Sequence, residues 1–250
     1  MENRYSRNHI YIDLKDQNII KNIPILLAGG GIGSLIAECA LRLGFENFTI
    51  IDGDQVELSN LNRQNYTEED IAVPKVEALK KRLLSINKNA KINIHNCYLR
   101  ASNLEQYISG HSIAINALDF SSDVPLLFDK ICHDYHIPVL HPYNIGWGSI
   151  VAVVVPGGQR LDSITRPNIR FNEVEFVEYA LGHLAFWGNP QEWMRQVLDK
   201  YLSKKHDTPP QLSIGSWLAA SMCSKILFDI ATDREIKKFP DFYFSTLKDV

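Results

Sequence analysis

The 250-residue chain contains no pair of cysteines at C-x-x-C spacing. Its four cysteines (Cys39, Cys97, Cys132 and Cys223) stand far apart. That excludes a zinc ribbon or a thioredoxin-type redox motif and fits a reduced, cytoplasmic protein. Basic charge is not in excess: 26 Lys and Arg against 29 Asp and Glu give a net charge of −3, so no basic face advertises nucleic acid. There is no long block of one charge, no low-complexity tail and no internal repeat. The polar start MENRYSRNH leads into no apolar core of a secretory signal. The uncharged stretch from Ile23 to Ala37 is broken by Pro24 and three successive glycines and ends at Glu38, which argues against a membrane span. No G-x-S-x-G nucleophile elbow is present.

What is there is enough apolar material, 45% of the residues, for one large α/β core or a core with a smaller appendage. Strand-like and helix-like segments alternate through the first half. Strands are expected over Ile23–Ala28, Asn47–Asp52, Lys91–Leu99, Ser112–Leu118, Pro138–His141 and Ser149–Val155. Helices are expected over Gly33–Leu43, Lys75–Ile86 (basic residues outward) and Val124–His136. This rhythm predicts an α/β, Rossmann-like fold: a mostly parallel sheet flanked by helices. The second half reads as mainly helical. Glu173–Leu184 and Glu192–Leu202 are amphipathic, the latter with Trp193, Val197 and Tyr201 on one stripe. Ser213–Ile230 is apolar nearly all round, as suits a buried helix. Residues 157–172 and 203–212 read as loops. The chain is taken as one unit, with a nucleotide-binding core over residues 1–156 and a helical C-terminal extension over 157–250.

The run Ile23–Leu27 leads into AGGGIGS at residues 28–34. Glycines after a strand let the chain turn tightly and let a phosphate approach backbone N–H groups at a helix N-terminus. The fingerprint G-x-G-x-x-G fits with Ala28 in its first place and Gly30 and Gly33 in the others. An acid about 20 positions on, at the end of the second strand, binds ribose hydroxyls. Asp52 ends NFTIID at that distance, and Asp54 adds a second acidic group at the same edge. A nicotinamide cofactor does not account for the adjoining segment DQVELSNLNRQ, residues 54–64. Asn60, Arg63 and Gln64, and then Lys75, suggest cations and amides gathered around a triphosphate.

Together these motifs resemble the ThiF/MoeB/HesA family, the adenylating enzymes related to the ubiquitin-activating enzyme. The family's glycine turn is matched by Ala28-Gly29-Gly30-Gly31-Ile32-Gly33, with Gly31 as its extra glycine. Its pattern D-x-D-x-V-x-x-S-N-L-x-R-Q is complete: Asp52, Asp54, Val56, Ser59, Asn60, Leu61, Arg63 and Gln64. Pro74-Lys75 matches its P-K pair, Asp119 in NALDF its later acid, and Arg4-Tyr5-Ser6-Arg7 its R-Y-x-R start. The resemblance covers residues 4–156 well and the rest loosely. It implies an enzyme that uses Mg-ATP to join AMP to the C-terminal carboxylate of a small, ubiquitin-like protein or a peptide, releasing pyrophosphate. It implies that Asp52 holds the ribose, that Asn60, Arg63 and Lys75 contact phosphates, and that Asp119 holds Mg²⁺. It also implies a homodimer in which Arg7 reaches the partner's ATP. No structural zinc, membrane or nucleic-acid partner is expected.

The chain departs from the pattern at three places. Ala28 stands where the family has glycine, and an alanine there must keep negative φ or bear the cost of a left-handed conformation. FSSDV follows Asp119. Residues 157–190 contain no cysteine, where relatives that pass the acyl group onward often carry one, so the adenylate is expected to be the end point or to go to an external nucleophile. A tRNA-modifying dehydratase of the same fold, a non-catalytic nucleotide-binding subunit and a NAD dehydrogenase are the competing readings. Elsewhere, Cys132 and His136 would share a helix face as candidate metal ligands, against a simple helix end. Cys223 and Cys97 read as structural. Tyr143 and Trp147, in HPYNIGWGS, are candidates to frame a substrate's tail. Gln211, in TPPQLS, carries no assignment.

Overall fold

The computed structural model of the chain describes residues 4–165, 169–204 and 208–248. Seven strands form one sheet in the order β3-β2-β1-β4-β5-β6-β7. The strands are β1 (Ile25–Ala28), β2 (Asn47–Asp52), β3 (Lys91–Asn96), β4 (Ile113–Asn116), β5 (Val139–Asn144), β6 (Gly148–Val154) and β7 (Phe242–Thr246). The helices are α1 (Leu14–Asn22), α2 (Gly33–Leu43), α3 (Lys75–Ile86), α4 (Leu104–Ile108), α5 (Val124–Asp134), α6 (Glu173–Phe186), α7 (Glu192–Ser203) and α8 (Ser213–Ala231). β1 pairs in parallel with β2 and β4, β2 with β3, and β4 with β5. The expected mostly parallel sheet flanked by helices is the fold observed.

β1, β4 and β6 are buried along their whole length, which is why ILLA, IAIN and GSIVAVV are apolar runs without alternation. On one face α2, α3 and α8 bury Leu35, Ile36, Leu79 and Ile226 against Leu27, Ile50 and Val151. On the other, Leu104 and Ile108 of α4 and Phe128 and Cys132 of α5 cover Leu26, Ile51 and Val139. A separate cluster packs Phe176 and Leu181 of α6 and Leu198 of α7 on Ile150, Ala152 and Phe242. Each such fully buried side chain contributes roughly 1.5–3 kcal/mol.

Several details differ from the sequence expectation. β5 and β6 are joined by a short turn, so β6 runs antiparallel to β5, and β7 then pairs antiparallel with β6. α1, α4 and β7 are unpredicted; α1 buries only Ile20, so its periodicity is faint in the sequence. The inward stripe of α7 is Met194 and Leu198, while Val197 faces solvent. Helix α5 stops at Asp134, and His136 has left-handed φ (+58°). Cys132 and His136 therefore share no helix face, and the Cys132 thiol lies in the core, where burial pushes its pKa up. Cys223 is buried as expected, and Cys97 is half-buried against the Tyr107 hydroxyl. Within the loop expected over 157–172, Leu161–Ile164 forms a 3-10 turn; residues 166–168 of that loop and 205–207 of the other lie outside the described residues. By length and composition α8 could cross a membrane. It instead packs against α2, β5 and β6, leaving Trp217 half-exposed.

Candidate functional site

β1 leads by way of α2 to β2 on one side, and β4 lies on the other, so the sheet's order of travel reverses between β1 and β4. The crevice at the carboxyl ends of strands flanking such a switch is where α/β sheets bind ligands. The loop after β1 is the glycine turn, and the loop after β4 carries Asp119. They meet at Gly29, which adopts φ +98°, and a Cβ there would lie 2.4 Å from the Ala117 carbonyl oxygen. Ala28, by contrast, is the last residue of β1, buried and paired in register with Ile51 and Asn116. The left-handed position falls on Gly29, so alanine at 28 costs nothing in φ. At Gly33 the constraint is packing, since a Cβ would lie 2.9 Å from Leu27 Cδ1.

Asp52 closes the turn. Its Oδ2 accepts the Gly30 N–H at 2.5 Å and its Oδ1 accepts the Asp54 N–H at 2.7 Å. Burial raises its pKa, and those two N–H groups together with Lys75 oppose the rise. Asp54 accepts from Lys75 Nζ at 2.9 Å and from the Tyr98 hydroxyl at 3.0 Å. Burial alone would raise Asp54, but the ion pair and the hydroxyl outweigh it and lower the pKa. Lys75 is itself buried, 7% exposed, which a lysine tolerates only with such a partner.

The segment between Asp54 and Lys75 folds back over the turn because α2 holds it there. Ser34 Oγ accepts the Asn65 N–H at 2.9 Å, and Tyr66 donates to the Gly30 carbonyl at 2.7 Å. Glu38, almost fully buried, accepts from Asn65, Arg42 and Arg82. The two guanidinium groups and the Asn65 amide overcome burial and depress its pKa to about 2. Asn60 is buried and turns its Oδ1 to the Glu57 N–H at 3.0 Å. Arg63 donates through Nη1 to Ser59 O at 2.9 Å and Asn62 Oδ1 at 2.8 Å, and through Nε to Gln211 Oε1. Gln64 packs beside Gly31, with Nε2 3.3 Å from where a Cβ would stand. Its buried Oε1 has no hydrogen-bond partner among the described residues.

Asp119 opens to solvent at the mouth of this crevice. The surrounding protein and then the Glu173 carboxylate raise its pKa, while Lys75 and Arg63 act in the opposite sense. The structure thus brings Gly30, Gly31, Gly33, Asp52, Asp54, Asn60, Arg63, Gln64, Lys75 and Asp119 to one edge. It does not bring Arg7 there. Arg7 is exposed in a 3-10 turn whose neighbour Asn8 bonds to Leu43 O at 2.8 Å, at the far end of α2, about 16 Å along an 11-residue helix. Trp147 is half-exposed at the β5–β6 turn, but Tyr143 is core, its ring stacked on Phe176 at 4.1 Å. Glu173, which accepts the Phe120 N–H at 2.9 Å, and Gln211 were not found by sequence reasoning. Both sit far along the chain, and no spacing links them to the glycine turn.

The arrangement fits a nucleotide polyphosphate. Among the described residues the N–H groups of Gly31, Ile32 and Gly33 find no acceptor in the protein, and they stand at the positive end of α2. No group of three or more His, Cys, Asp or Glu residues that could hold a metal occurs among the described residues. A cation at Asp119 would therefore take most of its ligands from phosphate and water, as Mg²⁺ does.

The ThiF family model matches residues 5–209. The chain belongs to the ThiF family. It is 31% identical over 163 residues to the sulfur carrier protein ThiS adenylyltransferase of Bacillus subtilis, covering 63% of this chain and 48% of that protein. It is 32% identical over 120 residues to the molybdopterin-synthase adenylyltransferase of Escherichia coli, covering 46% and 48%. A tRNA threonylcarbamoyladenosine dehydratase of B. subtilis is 28% identical over 139 residues, covering 55% and 51%. This ThiF-family chain spans about half the length of these relatives. Its fold is shared with crystal structures of E. coli MccB with ATP (TM-score 0.71, 18% identity, 98% of this chain and 72% of that one) and of PaaA (0.71, 22%, 98% and 79%).

Proposed function

We propose that this ThiF-family chain is an ATP-dependent adenylyltransferase that activates the C-terminal carboxylate of a small protein or peptide. The observation that carries the reading is the convergence, at the switch between β1 and β4, of unpartnered helix N–H groups with Asp52, Lys75, Arg63 and Asp119. Relatives named for a sulfur carrier protein, for molybdopterin synthase and for ubiquitin-like modifiers support it.

In this reading Asp52 accepts the ribose hydroxyls, and the N–H groups of Gly31, Ile32 and Gly33 receive phosphate oxygens. Arg63, Lys75, Asn60 and Gln64 line the polyphosphate. Lys75 would exchange Asp54 for phosphate, or share it. Mg²⁺ at Asp119 would neutralise charge on the phosphates. The acceptor carboxylate, with an ordinary pKa near ~4, is already ionised at neutral pH. Its oxygen attacks the α-phosphorus, the bond from that phosphorus to the bridging oxygen breaks, and pyrophosphate leaves with the electron pair. No proton need be moved, so the residues serve by position and charge. In this reading, with no cysteine in residues 157–190, the acyl-adenylate is the end point or passes to an external nucleophile.

Acceptor-dependent exchange of labelled pyrophosphate into ATP tests the reading. Wild-type protein should exchange with its acceptor, and Asp119→Ala should lose about 100-fold or more, on the scale of deleting one preorganised charge-stabilising group. Absence of exchange with the authentic acceptor would sink the reading. Likeness to a tRNA dehydratase makes total tRNA at low salt a necessary second arm; the net charge of −3 leads us to expect no shift of the tRNA. We further propose a homodimer, with Arg7 acting at the partner's site.

A further inference from the structure

Gln211 lies just ahead of α8, in a segment with no signature of its own. It touches the site twice. Its Oε1 accepts from Arg63 Nε, and its carbonyl accepts from Asn62 Nδ2 at 3.5 Å. The next residue, Leu212, offers its carbonyl to Asn144 Nδ2 at 2.8 Å. Asn144, at the end of β5, also bonds to Ser216 Oγ on α8 at 2.8 Å, and its Oδ1 takes the Gly146 N–H at 2.9 Å. Residues 211–212 are therefore stitched to two loops at the carboxyl edge of the sheet, the Arg63 loop after β2 and the turn after β5.

The guanidinium is planar, so its three nitrogens move as one fork. Gln211 fixes Nε, while Ser59 and Asn62 fix Nη1. Two fixed nitrogens determine the direction of the third. Nη2 has no protein partner among the described residues. An arginine on a loop would otherwise lose its rotamer freedom when an anion binds; here that freedom is lost on folding.

We propose that Gln211 is the positioning residue for Arg63, aiming its open nitrogen at the nucleotide phosphates and linking that site to the segment before α8. The proposal rests on the reading of Arg63 as a phosphate ligand. It gives the C-terminal half of the chain a part in nucleotide binding, exerted through Arg63. Only a side chain of glutamine length carrying an oxygen at the ε position makes the bond, so asparagine would fall one methylene short.

The test is calorimetric titration of the full chain with Mg-ATP, which needs no knowledge of the acceptor. Gln211→Ala and Gln211→Asn should each weaken binding about ten-fold or more, the value of a hydrogen bond to a charged group. In an Arg63→Ala background, Gln211→Ala should add nothing, because a residue acting through another has no effect once that other is gone. If Gln211→Ala binds as wild type does, or its loss persists in full without Arg63, the proposal is overturned. Wild-type protein that binds no Mg-ATP would overturn the nucleotide reading itself and this proposal with it. A tight wild-type complex with a silent Gln211→Ala overturns the proposal alone.

Discussion

At Gly29 a side chain would occupy space that belongs to Ala117. The backbone there is left-handed, φ +98°, and the missing Cβ would stand 2.4 Å from a carbonyl oxygen. Gly29→Ala should cost about 1–2 kcal/mol for the conformation alone, with the clash added, and should separate the two loops at the switch point. Urea unfolding together with Mg-ATP titration would check it; a variant as stable as wild type would refute the close approach. A second residue-scale consequence concerns Glu38. Its ordinary pKa of 4.5 falls to about 2 in the folded protein. A depressed carboxyl stabilises the fold fully above its unfolded pKa, and that contribution is lost as pH falls through the folded value. Glu38→Gln should therefore lose up to about 3 kcal/mol at neutral pH. Wild type and variant should converge between pH 4.5 and about 2. Unfolding curves across that range that stay parallel would contradict the role given to Arg42 and Arg82.

Between elements, the contact that matters is that of α6 with the loop after β4. Asn172 caps α6 by accepting the N–H groups of Val174 and Glu175 at 2.9 and 3.1 Å. The cap fixes the first turn, and Glu173 in that turn accepts the Phe120 N–H at 2.9 Å. The ring of Phe120 seats edge-on against Phe171 at 4.9 Å. The residue after Asp119 is thus clamped at both its backbone and its side chain. Glu173→Ala should loosen this loop, raising hydrogen exchange at Phe120 by about ten-fold or more, since a bond to a charged acceptor contributes about 1.5–3 kcal/mol. Glu173→Gln keeps an oxygen for the N–H and should show most of the protection. Equal exchange in all three proteins would mean that α6 does not hold the loop.

For the whole molecule, the distribution of exposed apolar residues bears on assembly. Ile10, Tyr11 and Leu14 are 91, 86 and 78% exposed within one short N-terminal stretch, beside Arg7. Exposed apolar groups gathered in this way mark association surfaces. The proposed homodimer would cover them and carry Arg7 away from its own distant crevice. Mixing Arg7→Ala protein with Asp119→Ala protein checks this directly. In a dimer sharing sites, one of the two sites in a mixed pair is intact, so exchange activity should return to about a quarter of wild type on free reassortment. No recovery on mixing, with a monomer by sedimentation, would dismiss the arrangement.

Local patterning was enough to read the sheet's parallel part, and the motifs pointed to most of the residues gathered at its carboxyl edge. Helices Gly33–Leu43 and Lys75–Ile86 and strand Asn47–Asp52 occur with the predicted bounds, because local residues punctuate them: Gly44 ends the first helix, Pro74 and Asn87 flank the second, and Gly53 follows the strand. Asp52 was legible as the acid that closes the strand after the glycine turn, Arg63 and Lys75 as cations in the segment leading on from it, and Asp119 through the family resemblance. The antiparallel sense of β6 follows from the short turn after β5, whereas the added strand β7 and the core placement of Tyr143 depend on which distant surface each segment meets. Ala28 raised a question that only backbone geometry could answer, since the left-handed residue is its neighbour. Glu173 and Gln211 entered the site only through tertiary contacts. A hydrogen bond between residues separated by 148 positions leaves no periodicity in a sequence, and it exists only once the sheet has brought its loops to one edge.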